Sequence, residues 1–581
     1  MDKRFFLALL LTGAVVVLTP VLFPRPSLPE VTAPVAVPAS PAPVGGTPSS
    51  SPVTVPTIAS VGPANAPANA PAGAPAAVGA PVTQAVADTL LLENALATYR
   101  FSTLGAQFLS AELTRFVQLG QREGAVQLTH GSAPMLRLRL IAGGDTVPLE
   151  RLAFQVSRER GSFVAAGVPT PADELLFRVA VGTGAIAVRY TLAPDNYLMR
   201  VEIGATGIAQ PAFLLVDLPS GFASQESDST EDARHLSYAF KPQSSGAERV
   251  DFRKPDPGER LLKPGPLTWA VAKNKYFLVG VLAEQGAAAP FAELHVTGAQ
   301  RVNKVALTAS ATAVAALTDA GVRFELYAGP QEWERLVAMG RDFENVNPYG
   351  GWISGVVQPF ATIVMRVLLW MKRTLNIHYG WILILFGVSV RLLMWPLNSR
   401  MMRSQMAMQR LAPKIQEAQN KHKGDAEKQR LAVMAVYSEA GVSPFAALSG
   451  CLPMLLPMPI LIALFFVFQN TIEFRGVSFF YLADISLKDP YYILPLLMGL
   501  SMFVLSWVGM RNVPPNPQTK MMAYLMPVIL TVALLNFASG LNLYYTVQNL
   551  AALPQQWLIA NERAKTAPVV VAGKKEKKGR K

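Results

Sequence analysis

Hydrophobic and polar residues follow three different patterns along this chain of 581 residues. A continuous apolar run at residues 5–23 comes directly after Lys3 and Arg4. Residues 90–330 carry large apolar side chains at every second position, which is typical of strands with one buried face. After Trp352 the chain contains several uncharged apolar runs that are long enough to cross a bilayer. The pattern predicts a membrane protein with a large β-rich insert.

The alternation is clearest in three segments of the predicted β-rich region. Large apolar residues alternate with small or polar ones along residues 186–192 and again along residues 197–203. Residues 322–326 repeat the pattern near the end of the region. Glycine clusters such as residues 182–184 separate these segments, as turns between strands require. We therefore expect a β-sandwich over residues 89–345.

The C-terminal part of the chain contains the long apolar runs. Residues 379–397 form the first run, and Arg391 is its only charge. The uncharged runs that follow lie at residues 445–469, 490–510 and 521–560. The last of them is long enough for two spans joined by a turn at residues 536–540. The sequence therefore predicts five clustered transmembrane helices.

Residues 346–378 precede these runs and allow two interpretations. They are largely apolar, but they contain Pro359 and Arg366 and end in Lys372 and Arg373. The segment could cross the membrane, or it could lie in the interface as an amphipathic helix. The positive charges of the later loops favour the interfacial helix, as explained below.

The N-terminal segments read as an anchor and a tether. Residues 1–23 are predicted to be an uncleaved transmembrane anchor, with a cleaved signal peptide as the alternative. Residues 24–88 consist mostly of Pro, Ala, Val, Gly, Ser and Thr, with few large apolar residues. Such a composition does not pack into a core, so we expect a disordered, semi-extended linker.

The formal net charge of +13 fits either nucleic acid binding or the retention of Lys and Arg on the cytoplasmic side of a membrane. Residues 398–440 contain eight Lys and Arg residues, residues 470–489 contain two, and the tail after Ala560 contains eight. If the N-terminus is cytoplasmic and the chain has six spans, the two segments rich in Lys and Arg, residues 398–440 and the tail, lie in the cytoplasm. The β-rich region and residues 470–489, which contain few Lys and Arg, then lie in the periplasm. A seventh span at residues 346–378 would move every later loop to the opposite side of the membrane.

The predicted fold class is an α-helical membrane protein with a five-helix transmembrane core, an N-terminal anchor helix and a large periplasmic β-sandwich domain. The parts follow one another as anchor (1–23), linker (24–88), sandwich (89–345), interfacial helix (346–378), transmembrane helix 2 (379–397), cytoplasmic helical hairpin (398–443), transmembrane helices 3–6 (444–560) and basic cytoplasmic tail (561–581).

Arg391 is the first candidate functional residue. An arginine in the middle of a span costs about 2.5–3.5 kcal/mol on insertion scales. No Asp or Glu occurs in the five clustered spans that could pair with it. Its side chain could simply extend toward the cytoplasmic end of the helix, near Leu397. Alternatively, it faces a water-containing cavity and attracts polar or acidic groups there.

Two further sets of side chains accompany Arg391. One face of the last span carries polar groups at helical spacing: Asn542, Tyr545, Thr546 and Asn549. They could line a polar cavity or make ordinary hydrogen bonds between helices. The predicted hairpin begins with four methionines: Met401, Met402, Met406 and Met408. Methionine-rich surfaces adapt to varied apolar partners, although packing on lipid explains them equally well.

Signatures of enzymes and cofactors are missing from the sequence. The five histidines are scattered without metal-ligand spacing, and no nucleophile motif or phosphate-binding loop is present. The single cysteine, Cys451, excludes an intramolecular disulfide. We therefore predict no enzyme activity, no catalytic residue, no metal site and no cofactor.

Five segments together resemble the YidC family of membrane protein insertases in its Gram-negative form. They occur in the family's order along the chain. The segments are VRLLMWPL at 390–397, LAPKIQ at 411–416, GCLPM at 450–454, DPYYILP at 489–495 and SGLNLYY at 539–545.

The resemblance implies a hydrophilic groove between the five helices, open to the cytoplasm and the lipid. Arg391 matches the family's groove arginine, and Tyr545 matches a tyrosine along the substrate path. Asn542, Thr546 and Asn549 belong to the same expected groove. The family often has a polar residue one turn before the arginine, whereas this chain has Gly387.

The function that the resemblance implies is insertion and assisted folding of integral membrane proteins in the bacterial inner membrane. Nascent membrane proteins would be its substrates, and it would act alone or with the Sec translocon. The methionine-rich hairpin would receive the substrate. The lipid bilayer is a further partner, and the basic tail could contact ribosomes or serve only to fix topology.

Two other classes of function stay open at the sequence level. A transporter or channel usually carries acidic residues within its spans or inverted repeats, and neither is found. A chaperone-like membrane protein could instead work through its β-domain, and deletion of that domain would distinguish it from an insertase.

Overall fold

The computed structural model describes residues 88–566 apart from 121–122, 130–132, 166–167, 303–304, 348, 350–353, 423, 440–457 and 512–516. The side chains of 404–410 and of some neighbouring residues are also outside this description. The predicted anchor, nearly all of the predicted linker, Cys451 and most of the basic tail therefore lie outside the described residues.

Antiparallel strands dominate the N-terminal half of the described residues. The strands are β1 (Thr89–Glu93), β2 (Ala97–Ser102), β3 (Gln107–Val117), β4 (Ala125–Leu128), β5 (Arg137–Ala142), β6 (Asp145–Val147), β7 (Gln155–Ala165), β8 (Val168–Val181), β9 (Gly184–Leu192), β10 (Leu198–Thr206), β11 (Ala212–Asp217), β12 (Ser237–Pro242), β13 (Glu248–Asp251), β14 (Arg260–Lys273), β15 (Phe277–Leu282), β16 (Phe291–Gly298), β17 (Ala309–Leu317) and β18 (Val322–Pro330).

These strands form two packed sheets. Strands β1 to β4 make a small sheet in sequence order. The large sheet has the order β6-β5-β11-β17-β16-β14-β15-β18-β10-β9-β8-β7, and β12 joins it through β14 and carries β13. Aromatic side chains fill the space between the sheets: the ring centroids of Phe101 on β2 and Tyr190 on β9 are 4.7 Å apart. The predicted β-sandwich is therefore confirmed.

The predicted alternation matches the observed burial. Ile186, Val188 and Tyr190 on β9 are buried, whereas the residues between them are more exposed. Met199, Val201 and Ile203 on β10 follow the same rule. On β18 the alternation holds only around the exposed Arg323, because every residue from Phe324 to Pro330 is buried. A two-residue turn joins β8 to β9, and Gly182 adopts a φ of +60° there, which a glycine accommodates without steric cost.

Helices make up the C-terminal half of the described residues, after two short helices within and directly after the sandwich. The helices are α1 (Ser229–Ala233), α2 (Trp333–Ala338), α3 (Ser354–Leu375), α4 (Tyr379–Lys421), α5 (Ala426–Glu439), α6 (Met458–Asn470), α7 (Ile493–Gly509), α8 (Pro517–Leu534) and α9 (Ser539–Thr566). The predicted turn between the last two spans is confirmed, since α8 ends at Leu534 and α9 begins at Ser539.

The α4 helix passes straight through the boundary predicted between residues 397 and 398. It combines the predicted second span and the first arm of the predicted hairpin in one helix of 43 residues. Two parts of the described helices are long and apolar enough to cross a membrane: Ser354–Leu375 in α3 and Tyr379–Arg403 in α4. By composition, α3 thus also suits a span, so its interfacial position stays a prediction.

The helices pack around α9. It contacts α4 on one side and α7 on another, while α8 packs on α7 and α3 packs on α6. A second apolar core forms here, separate from that of the sandwich, and it includes Phe386 of α4, Phe468 of α6 and Tyr544 of α9. This arrangement brings the polar side chains of α9 against the middle of α4.

Candidate functional site

Arg391 lies in the middle of the apolar part of α4, equally far from the two ends of the segment Tyr379–Arg403. The side chain is half-buried at the contact with α9. Desolvation of a guanidinium at this depth is unfavourable, so its hydrogen-bond partners decide how it is held.

Gln555 of α9 is the partner of Arg391. Nη2 of Arg391 donates a hydrogen bond to Oε1 of Gln555 over 2.9 Å. The Nε2 of Gln555 donates to the carbonyl of Trp395 over 2.8 Å and to Oγ of Ser399 over 2.7 Å. Gln555 is only 1% exposed. It is fixed to three successive turns of α4 and holds the guanidinium at a defined position.

The charge of Arg391 is not neutralised by this contact. A glutamine side chain has no net charge, and no carboxylate of the described residues lies within ion-pair distance of Arg391. Its Nε is buried without a hydrogen-bond partner in the described part of the chain. A buried donor of a charged group without an acceptor is unfavourable by roughly 1–3 kcal/mol or more. The site thus retains both a positive charge and an unused donor.

A second polar contact lies one turn earlier along α4. Nε2 of Gln548 donates to the carbonyl of Gly387 and to Oη of Tyr544, each over 2.9 Å. A Cβ at Gly387 would lie 3.2 Å from Cγ1 of Val547, so the glycine allows α9 to approach α4 closely. The absence of a side chain at Gly387 therefore permits a close helix contact, and in that contact its carbonyl accepts the hydrogen bond from Gln548.

The predicted polar face of α9 makes contacts with other helices. Asn542 is buried, and its Nδ2 donates to the carbonyl of Leu534 at the end of α8 over 3.3 Å. Nδ2 of Asn549 donates to Oγ of Ser501 on α7 over 3.0 Å. Oγ1 of Thr546 donates to the carbonyl of Asn542 within α9 over 2.8 Å. The bonds of Asn542 and Asn549 are those expected from the interhelical alternative, whereas Thr546 bonds only within its own helix.

Two of the predicted residues keep capacity for further contacts. Oδ1 of Asn542 is buried without a hydrogen-bond partner among the described residues. Tyr545 is half-buried and packs its ring against Tyr544, with centroids 5.8 Å apart. Within the described residues, no hydrogen bond joins Arg391 to a residue of the predicted face.

The side chains of α9 that bond to α4 at Arg391 and one turn before it were not predicted from the sequence. Tyr544, Gln548 and Gln555 lie on one face of α9, since their spacing of four and seven residues returns to the same side of a helix. This polar face was visible in an otherwise apolar span. Around the axis of α9, this face is displaced by about one residue from the predicted face that contains Asn542 and Asn549. Only the packing of α9 on α4 shows which of the two faces meets α4.

The methionines of the predicted hairpin follow Arg391 on the same helix. Met401 and Met402 are half-buried on α4. Met406 and Met408 belong to the helical backbone of α4, but their side chains lie outside the described residues. Nη2 of Arg403 and Oε1 of Glu562 form an ion pair of 2.9 Å that joins this part of α4 to the end of α9.

These features define a membrane protein with an uncompensated arginine in a polar helix interface at mid-span and a β-sandwich beside the helices. Within the described residues, no group of three or more His, Cys, Asp or Glu side chains has the arrangement of a metal site. The chemistry available around Arg391 is hydrogen bonding and charge attraction.

Comparison with known proteins identifies the family. The family described as "60Kd inner membrane protein" matches residues 370–566, and the family described as "YidC periplasmic domain" matches residues 90–363. The membrane protein insertase YidC of Anaeromyxobacter dehalogenans is 33% identical over 425 residues, which are 70% of this chain and 72% of that protein. The insertase of Chlorobium luteolum is 26% identical over 500 residues, 83% of this chain and 84% of that protein.

Among solved structures, the crystal structure of an active YidC insertase with its first transmembrane domain resolved covers 81% of this chain and 92% of that chain. The sequence identity is 20% and the TM-score is 0.32.

The chain belongs to the YidC family of membrane protein insertases, as its identity to the Anaeromyxobacter protein over most of both chains demonstrates. The predicted family, fold class and insertase function are confirmed. The family consists of inner-membrane insertases rather than enzymes.

Proposed function

We propose that this insertase moves short polar segments of its substrates across the membrane by holding them beside Arg391. The observation that carries the proposal is the neutral partner of this arginine. Gln555 fixes the guanidinium without neutralising its charge, and the buried Nε–H has no acceptor among the described residues, so a polar or acidic group that reaches the site would be favoured there. A segment that binds there has a shorter distance to cross through the low-dielectric part of the membrane.

The proposed reaction has three steps. The methionines of α4 and the basic tail receive the nascent substrate at the cytoplasmic face. Its polar end then enters the groove formed by α4 and α9 and contacts Arg391. Finally, its apolar helix leaves sideways along α6 and α8, driven by hydrophobic partitioning. The membrane potential assists acidic ends by about 2.3 kcal/mol per charge per 100 mV.

The proposed substrate groove comprises Arg391 and the previously predicted residues Asn542, Tyr545, Thr546 and Asn549. The contacts of the structure add Tyr544, Gln548 and Gln555 to this set. The half-buried ring of Tyr545 supports a role in substrate contact, whereas the unpaired Oδ1 of the fully buried Asn542 would accept a hydrogen bond only after the helices around it separate. No metal, cofactor or nucleotide takes part in the proposed steps.

The proposed topology has six spans, with the N-terminus, residues 398–440 and the tail in the cytoplasm and the sandwich in the periplasm. The charge distribution among the loops supports it. A cysteine introduced at Lys488 should react with an impermeant reagent from outside whole cells in a variant that lacks Cys451. Reaction only after lysis would contradict the six-span topology.

The proposed partners are nascent membrane proteins, the Sec translocon, ribosomes and the lipid bilayer. The eight Lys and Arg residues after Ala560 support contact with ribosomal RNA. Truncation after Ala567 should then reduce co-sedimentation with ribosomes, and unchanged co-sedimentation would indicate that the tail serves only to fix topology. We expect subunits of the Sec translocon to copurify with the protein. Their absence from crosslinked complexes would contradict the Sec translocon as a partner.

Crosslinking to a stalled nascent chain tests the groove directly. We expect a photoreactive amino acid at Met394 or Gln548 to capture a substrate whose polar end is being translocated. Leu496 on α7 provides the control, since it is exposed on the outside of the bundle. Equal capture from positions 394, 548 and 496 would contradict a groove between α4 and α9.

A further inference from the structure

The segment between α6 and α7, residues 471–492, is held in a defined conformation by a buried aspartate. Asp489 has no exposed surface. Its Oδ2 accepts hydrogen bonds from Oη of Tyr481 over 2.6 Å and from the backbone N–H of Leu494 over 2.7 Å, and its Oδ1 accepts from the N–H of Tyr491 over 2.9 Å. One carboxylate thus fixes both the middle of the segment and the beginning of α7.

The same segment is attached to the beginning of α9 by its backbone. The N–H of Ser539 donates to the carbonyl of Leu487 over 2.7 Å, and the N–H of Gly540 donates to that of Ile485 over 2.9 Å. Ile485 is fully buried. The segment is therefore part of the helical core, and the direction of its exposed side chains is set by the fold.

Phe479 anchors the segment to the beginning of α4. Its ring lies over Gly380, where even a Cβ would come within 2.1 Å of the ring. The ring stacks on that of His378, with centroids 6.0 Å apart, and meets the ring of Trp381 edge-on at 5.7 Å. A glycine at position 380 is therefore required for this contact.

Phe480, the next residue, points outward from this anchored position. Its side chain is 79% exposed, although it is entirely apolar. Its ring contacts Phe479 and Trp381, with centroid distances of 4.4 and 6.0 Å. Its φ of +51° lies in the left-handed region, which a bulky residue adopts only where the surrounding structure imposes it.

Further exposed aromatic residues surround Phe480. Trp381 is 50% exposed and Tyr491 is 68% exposed. Tyr481 and Tyr491 pack with ring centroids 6.2 Å apart, and Tyr492 is also exposed with a φ of +58°. We call Trp381, Phe480, Tyr481, Tyr491 and Tyr492 the aromatic patch. In the aromatic patch, Trp and Tyr rings, each of which carries a polar group, lie around the apolar ring of Phe480 at the beginning of α4 and α7.

The exposed surface next to the patch is apolar on both helices. Leu385 on α4 continues from Trp381, and Ile493, Leu496 and Leu500 on α7 continue from Tyr491 and Tyr492. Tyr and Trp rings at the ends of apolar helix surfaces are typical of the membrane–water interface, where one part of the ring is apolar and the other forms hydrogen bonds. The continuity with these lipid-facing helix surfaces identifies lipid as the occupant.

We propose that the aromatic patch is a membrane anchor that inserts Phe480 into the headgroup region of the periplasmic leaflet. The bilayer then holds residues 471–492 at a fixed depth and, through Ile485 and Leu487, the beginning of α9 as well. This inference goes beyond the groove and rests on the proposed topology only for the choice of leaflet.

Site-directed spin labelling in lipid vesicles tests the anchor. The chain has one cysteine, so Cys451→Ser gives a background into which Phe480→Cys is introduced and labelled. Exposed Leu496→Cys on α7 serves as the lipid reference, and exposed Val302→Cys in the sandwich serves as the aqueous reference. We expect the ratio of oxygen to nickel-chelate accessibility at 480 to be several-fold above that at 302 and below that at 496.

The outcomes separate the possible occupants. A ratio at 480 equal to that at 302 means that the ring is in water and overturns the anchor. Low accessibility to both reagents means that protein covers the patch, a second copy included, and overturns it as well. Tyr491→Cys repeats the measurement at a position with an ordinary backbone if Phe480→Cys does not fold. An interfacial ratio with nickel access only from the cytoplasmic side would keep the anchor and contradict the topology.

Discussion

Arg391 is held by a neutral side chain at a depth where a charge is unfavourable, and this combination separates two explanations of the residue. An arginine that only extends toward the headgroups needs a free side chain. Gln555 instead fixes the guanidinium through its own bonds to Trp395 and Ser399. The fixed position therefore argues against simple extension toward the headgroups, and it is what the proposed binding of a polar group at Arg391 requires.

Replacement of Arg391 tests whether its charge acts on the substrate. We expect Arg391→Ala to reduce insertion of substrates with acidic translocated ends by roughly tenfold, because a hydrogen bond to a charged group contributes about 1.5–3 kcal/mol. Arg391→Lys should retain partial activity, since it keeps the charge but loses the planar fork. The measurement is insertion of substrates that differ only in the charge of the translocated segment, at equal membrane abundance.

The matched control for this experiment is Arg511→Ala, which removes an exposed arginine at the end of α7 that packs on Trp507. It should leave insertion of all substrates unchanged. Equal insertion of every substrate by Arg391→Ala would show that Arg391 is not part of a substrate site.

Gln555 provides a test in which the arginine itself is unchanged. We expect Gln555→Glu to form an ion pair with Arg391 and to reduce insertion of acidic-ended substrates at least as much as Arg391→Ala does. The attraction between the two charges in a low dielectric offsets part of the loss of the hydrogen bonds that Nε2 of Gln555 donates to Trp395 and Ser399, so insertion is compared at equal membrane abundance. Gln556→Glu on the neighbouring face of α9 is the control for the added charge. Full insertion by Gln555→Glu would mean that the charge of Arg391 need not be free.

The sequence identified Arg391 but not its surroundings, for a physical reason. A single charge in an apolar run is visible without any knowledge of packing. Gln555 lies 164 positions away along the chain, so its role depends on which face of α9 meets α4. A rotation of about one residue exchanges the face of Asn542 and Asn549 for that of Tyr544 and Gln548, and no local signal decides between them.

At the level of helices, α9 is the common neighbour of α4 and α7, and its two polar faces serve different contacts. Asn549 binds Ser501 of α7, and Ser501 in turn donates to the carbonyl of Met498 over 2.7 Å. Gln548 and Gln555 bind α4. The first face joins helices to each other, and the second surrounds Arg391.

A double-mutant cycle distinguishes a structural role of Asn549 from a role in substrate contact. We expect Asn549→Ala and Ser501→Ala to be coupled by about 0.6 kcal/mol in stability, which is the average for such bonds within membranes. Because Asn549 belongs to the proposed groove, Asn549→Ala should also lower insertion at equal abundance, whereas Ser501→Ala should keep normal insertion. A loss of insertion in Asn549→Ala that Ser501→Ala does not share would favour direct contact of Asn549 with the substrate.

The bounds of α4 show what the sequence could not provide. Its hydrophobicity ends near Leu397, so the pattern places the end of the span there and a separate helical hairpin after it. The helix continues because the next residues, rich in Met, Arg and Gln, favour helices even though they are not apolar. Hydrophobicity reports which solvent surrounds a segment, whereas helix ends depend on backbone propensity and capping. Strands were predicted better because alternation reports both conformation and burial.

At the level of the whole molecule, the sandwich contacts the helices through polar side chains. Oη of Tyr276 donates to Oγ of Ser486 over 3.0 Å, and Nε2 of Gln469 donates to Oε1 of Glu231 over 3.1 Å. Arg373 and Glu334 form a further ion pair. These contacts are at the end of α6, in residues 471–492 and at the end of α3, away from Arg391.

Deletion of most of the sandwich tests whether the helices suffice for insertion. We expect a variant without residues 90–320 to retain most of its insertion activity, because Arg391, Gln555 and Gln548 take all their described hydrogen bonds from helices. The measurement is insertion by the truncated protein at equal membrane abundance. Complete loss of insertion with the truncated protein stably present in the membrane would place the essential function in the sandwich.

The buried ion pair between Glu226 of the sandwich and Arg475 of the helical half makes this docking depend on pH. Nε of Arg475 lies 2.9 Å from both carboxylate oxygens of Glu226, and both side chains are almost wholly buried. Burial raises the pKa of Glu226 to about 7, although Arg475 and Lys275 lower it, and Asp232 adds to the increase. An exposed glutamate has a pKa of about 4.3.

A carboxyl group with a higher pKa in the docked state binds its proton more tightly there, so docking is most stable below about pH 4.3 and loses stability as the pH rises to 7. The full difference is about 4 kcal/mol at about 1.4 kcal/mol per pKa unit. We expect the midpoint of thermal unfolding in lipid nanodiscs to be higher at pH 5.5 than at pH 7.5.

Glu226→Gln should remove much of this difference, whereas the exposed control Glu248→Gln should preserve it. Glu473, whose pKa burial also raises to about 7, accounts for part of what remains, and Glu473→Gln measures that part. An unchanged pH dependence in Glu226→Gln would show that this carboxyl group does not control docking.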